Sequence, residues 1–124
     1  MRNAFVVSAV VTVALMFAAQ PAVAAHHSAA TFDTTTEITL KGTVTRWHWF
    51  NPHCLLEFDV TQDNGDLRHW TAETSNPADM TLRGWARTSL KPGDAITITV
   101  QPARNGSPVG RIMSVVLASG KVLK

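Results

Sequence analysis

From Glu37 onward the apolar residues of this chain recur at every second position, in short runs cut by turn residues, and a period of two builds β-strands. Ile38, Leu40 and Val44 alternate with Thr39, Lys41, Thr43 and Thr45; Gly42 interrupts the apolar face, where a bend or bulge is expected. This strand runs into Arg46-Trp47-His48-Trp49-Phe50 and is closed by Asn51-Pro52, because a residue before proline is pushed off helix. In the second strand Cys54, Leu56, Phe58 and Val60 face inward, with His53, Leu55, Glu57 and Asp59 outward. Asp63-Asn64-Gly65-Asp66 is a hairpin turn. The third strand, Leu67 to Thr74, turns Trp70 and Ala72 inward and His69, Thr71 and Glu73 to the other face. Ser75 or Asn76 then caps a short helix with Pro77 in its first turn and Gly84 at its end, and Trp85 packs after it. Strands follow at Ala95–Gln101 and Arg111–Leu117, with a last hairpin at Gly120. The order β-β-β-α-β-β predicts an all-β fold, a five-stranded OB-like barrel with one short helix between strands 3 and 4. Closure also disposes of exposed sheet edges.

The first 24 residues read differently. Arg2 is the only charge before Asp33, an apolar stretch runs from Ala4 to Ala19, Gln20-Pro21 breaks it, and Ala22-Val23-Ala24 has the small-x-small spacing of a cleavage site. The stretch is shorter than the roughly 20 apolar residues a spanning helix wants. The expected organisation is a signal peptide over 1–24, an extended polar arm over 25–36, and the barrel over 37–124, in a periplasmic or secreted protein with no membrane attachment after cleavage. Lysines and arginines are scattered singly, and the whole chain carries a formal charge of only +2. Nucleic-acid binders cluster theirs, so nucleic acid is excluded as a partner. Cys54 is the only cysteine, so no internal disulfide forms. A lone thiol among strand residues reads as buried, with a soft copper ligand as the alternative.

His26-His27-Ser28, Phe32-Asp33, Leu40-Lys41-Gly42-Thr43-Val44, Trp49-Phe50-Asn51-Pro52-His53, Gly84-Trp85 and Leu90-Lys91-Pro92-Gly93-Asp94 together resemble a family of secreted bacterial proteins of unknown function. The resemblance spans nearly the whole chain after residue 24. It implies export and a small β fold, and it carries no catalytic residues across. At His48 the chain departs from the pattern, where an acidic residue is usual.

All five histidines follow the signal segment: His26, His27, His48, His53 and His69. Cleavage after Ala24 leaves Ala25-His26-His27, whose amine, two amides and third-position imidazole can wrap Cu(II) or Ni(II) in a square plane. Cleavage after Ala25 makes His26 the first residue, able to chelate through amine and ring together, with His53 or His69 completing a copper site. Against this, paired histidines on an arm do no more than titrate in many proteins. His53 alone reads as a turn-pinning hydrogen-bond donor, and His69 as a partner for Asp59.

Trp47, Trp49 and Phe50 crowd the end of the first strand. Trp47 and Trp49 share one side by alternation and Phe50 takes the other. OB-like barrels bind ligands through exposed aromatics on one face, so Trp47, His48, Trp49, Asn51 and His53 form a candidate contact surface for a periplasmic protein or glycan. No Gly-x-Ser-x-Gly, phosphate-cradling glycine loop or His-Glu-x-x-His is present. Glu57 and Glu73 could face each other across the second and third strands as a carboxylate pair, but a solvated face is the commoner outcome. The functional expectation is a non-enzymatic binding or interaction module, with copper binding through His26 and His27 as the alternative.

Overall fold

The alternating runs become strands at the expected places. In the computed structural model, which describes residues 31–124, the elements are β1 (Ile38–His48), β2 (Leu55–Thr61), β3 (Leu67–Glu73), α1 (Pro77–Leu82), β4 (Ala95–Pro102), β5 (Val109–Leu117) and the short β6 (Val122–Leu123). The expected signal peptide over 1–24, most of the expected arm, and with them His26 and His27, lie outside the described residues. The hydrogen-bonded order is β3-β2-β1-β4-β5-β6, and β3 also pairs with β5. That last pairing is parallel, Thr71 opposite Val109 and Glu73 opposite Arg111, and it closes β1 to β5 into a five-stranded barrel. This is the OB-like connectivity the element order predicts, with α1 between β3 and β4.

The barrel interior is filled by the inward set, among them Val44, Leu56, Phe58, Ala72, Ile98, Val100 and Val115, all buried. Burying these side chains supplies the main driving force for a chain this small. Gly42 plays a different part from the expected bulge. It pairs regularly with Ile96, and a Cβ there would lie 2.8 Å from both the Phe58 ring and the Asp59 carbonyl, so the missing side chain makes room for Phe58. The bulge comes three residues later. Val44 pairs with Phe58 but Arg46 with Glu57, leaving Thr45 as the extra residue. It switches the inward parity of β1 from even to odd, which turns Trp47 toward the core and His48 outward.

The helix seals one end. Asn76 is its N-cap, its side chain accepting from the Asp79 amide at 2.9 Å. Met80 and Trp85 are buried beneath it, and Trp85 Nε1 donates to the Lys124 carbonyl at 2.9 Å. The described end of the arm is tied to the barrel. Phe32 is fully buried and bridges to Ala103, and Asp33 N donates to the Pro102 carbonyl. The Asp33 carboxylate accepts from Thr35 and Thr36, which hold its pKa down to about 2.

Candidate functional site

The outward residues of β2 and β3 fall into rows set by the register. Leu55 lies opposite Glu73, which lies opposite Arg111; Glu57 lies opposite Thr71, which lies opposite Val109; Asp59 lies opposite His69. Glu57 and Glu73 therefore do not face one another, because the pairing sets them in different rows. Glu73 was expected on a solvated face, yet it is only 6% exposed. Barrel closure sets β5 beside β3 on this row, and the loop residues Phe50, Pro52 and His53 line the same cavity as Glu73.

At this end the surface is concave. One cavity of about 180 Å³ lies between the loop residues Phe50, Pro52 and His53 and the strand residues Leu55, Thr71 and Val109, with Glu73 at its side. A second, of about 290 Å³, adjoins the same His53 and Glu73 and continues to Ser75, Arg83 and Arg111. The first is walled mainly by carbon, the second about equally by polar and apolar surface, with Arg83 and Arg111 among its residues. The loop between β1 and β2 and the face of β2 and β3 are where OB-type barrels take their ligands.

His53 is held by backbone geometry. Its neighbour Pro52 follows a cis peptide, and its Nδ1 lies 3.0 Å from the Thr74 carbonyl, which can only accept, so Nδ1 carries the proton. Nε2 then keeps its lone pair and makes no hydrogen bond with any described residue. The expected turn-pinning role is thus present, and the same bond orients the ring.

The other two described histidines belong to a separate strip. His48 Nε2 donates to Glu57 at 2.8 Å, His69 Nδ1 donates to Asp59 at 2.8 Å, and His69 Nε2 lies 3.6 Å from Glu57. The Asp59 hydrogen bond, helped by charge from Asp59 and Glu57, raises the His69 pKa, while the His48 hydrogen bond chiefly lowers that of Glu57. His69 is thereby committed to two carboxylates, and the structure gives His53 and His69 no common partner. Among the described residues no three His, Cys, Asp or Glu side chains are grouped so as to hold a metal ion. Cys54 is fully buried, and burial pushes its thiol pKa up, so it is core and not an accessible ligand.

The aromatic residues divide. Trp47 packs against Trp49 and Trp85, with ring centroids 5.9 and 5.6 Å away, and its Nε1 donates to the Ala86 carbonyl. Trp47 and Trp49 are half-buried against the core, sharing a side as expected. Phe50 is 44% exposed and sits edge-on to His48 at the lip of the apolar cavity. Asn51 is exposed beside it. Of the expected contact surface, His53 lines the groove with Phe50, whereas Trp47 and Trp49 line neither cavity and pack against the core. Leu55, Val109, Arg83 and Arg111 escaped the sequence reading. The signal that could have found Val109 and Arg111 was the barrel topology itself, which sets β5 beside β3.

No helix among the described residues is long and apolar enough to cross a membrane. No curated protein and no solved structure matches the chain. Residues 13–112 match a family described as a family of unknown function, DUF6152, and the chain belongs to that family.

Proposed function

We propose that this protein is an exported, non-enzymatic binding module that receives a segment of a periplasmic partner on the outer face of β2 and β3. The observation that carries the reading is the groove itself. It is concave, apolar at one end and mixed at the other, where Arg83 and Arg111 line it, with Phe50 exposed at its lip and His53 oriented by Thr74. A closed barrel offers no long free edge for strand addition, so recognition falls to side chains. A glycan would call for several exposed rings. Trp47 and Trp49 are packed against the core and Phe50 alone is open, which favours a protein segment. Export rests on the leader over residues 1–24.

The test is site-specific photocrosslinking in cells that export the untagged protein. A photoreactive residue at Leu55 or Thr71 is expected to yield one discrete adduct, and one at exposed Thr43 on β1 none. The same adduct from all three positions, or none from any, would overturn the reading.

Copper remains a second reading on one specific observation. A histidine whose Nδ1–H is tied to a backbone carbonyl has the orientation and tautomer that metal-ligating imidazoles have. His53 would complete a site begun by the mature amine with His26 or His27. A native mass spectrum of the exported protein reads cleavage site and metal together. One copper retained against a weak chelator, and lost in His27→Ala, supports this reading; a chain that retains none removes it.

A further inference from the structure

We propose that the groove recognises a free C-terminal carboxylate attached to an apolar last residue; the inference rests on the groove being the binding site. Its two cavities share His53 and Glu73 as walls, so an apolar group and an anion held there must sit side by side. The carbon-walled half is made by Phe50, Pro52, Leu55 and Val109. The other half is lined by Ser75 and by two arginines, Arg83 and Arg111.

The Arg111 guanidinium stands 5.3 Å over the Phe32 ring, an interaction that fixes it by its face and uses none of its N–H groups. Arg111 makes no ion pair with any described residue. Arg83 spends Nε on the Lys124 carbonyl at 3.2 Å and Nη1 on Asp79 at 3.4 Å. Its Nη2 makes no hydrogen bond with a described residue. A planar carboxylate is the group such donors match, because two parallel N–H···O bonds form at once.

Adjacency of the two halves distinguishes a chain terminus from an acidic side chain. In a C-terminal residue the side chain and the carboxylate diverge from one Cα. In Asp or Glu the carboxylate replaces the apolar group, and the next residue of an extended peptide points to the opposite side.

Amide ¹H–¹⁵N spectra of the exported, full mature chain test this. They are titrated with N-acetyl-Ala-Ala-Leu as free acid, with its C-terminal amide, and with N-acetyl-Ala-Asp-Leu amide. The acid is expected to shift the amides of Leu55, Thr71, Val109 and Arg111, and to bind about tenfold more tightly than either amide, the size of a charge-assisted contact. Arg111→Gln should bring acid and amide within about twofold of each other while the spectrum stays dispersed. Arg83→Gln, at the protein surface, is the second variant should Arg111→Gln not fold. Equal binding of acid and amide at those same amides leaves the groove as a binding site and overturns carboxylate recognition. Binding of the Asp peptide as tight as that of the acid overturns the terminus in favour of a side chain. No shift at the groove with any of the three overturns this inference and the groove reading with it.

Discussion

His69 is the residue whose protonation the fold stabilises. Its Nδ1 donates to Asp59 and its Nε2 lies near Glu57, so both ring nitrogens meet carboxylates and the imidazolium is favoured. The sign follows from linkage. The folded pKa of His69 is raised above its ordinary value of 6.5, so its contribution is fully present below that value and is lost as pH rises through the folded pKa. Glu57 is lowered from 4.5, so its contribution is present above 4.5 and is lost as pH falls through its folded value. Both operate together between about 4.5 and 6.5. His69 is 53% exposed, which limits the gain to at most about 1 kcal/mol, and less in salt. Urea unfolding at pH 5.5 and at pH 8.5 should therefore show the wild-type chain losing more stability than His69→Asn over that interval. Parallel losses would mean the strip stabilises nothing.

Among the elements, α1 is the one most dependent on a single side chain. Its six residues are too few to hold a helix by propensity, so the Asn76 cap and burial of Met80 maintain it. Asn76→Ala is expected to cost about 1 kcal/mol, seen as a lower urea midpoint with an unchanged m-value. A loss below about 0.3 kcal/mol would show that packing alone positions the helix. The cap was legible to within one residue, Ser75 or Asn76 before Pro77, as were the strands from their alternation and the helix end from Gly84, because each is a local rule. Two features of the site were not legible, and both are non-local. The Thr45 bulge reverses the parity of β1 without any turn residue to mark it. Glu73 stands at an outward position of β3 and is buried, with β5 returning beside it at Arg111, 38 residues further along. Alternation within one strand says which side a residue takes, and only the closing pairing says whether that side is covered.

For the whole molecule, closure through β3 and β5 has a consequence that Cys54 can report. Its amide donates to the Ser75 carbonyl at 2.8 Å and its carbonyl accepts from Thr74 at 3.0 Å, which joins the start of β2 to the chain leaving β3. The thiol is fully buried among core residues, and burial raises its pKa, so the reactive thiolate is scarce as well as shielded. A thiol reagent should then reach it only when the barrel opens. Labelling of the folded protein is expected to be slow without denaturant. In rising urea its free-energy dependence should coincide with that from tryptophan fluorescence, since four tryptophans report the global transition. Fast labelling in water from a chain that remains folded by fluorescence would instead place a low-energy opening at the β1–β2 corner. His53 adjoins Cys54 in sequence and bonds to Thr74. Such an opening would break the hydrogen bond that orients its ring, and the proposed groove would then have to form on binding instead of standing ready.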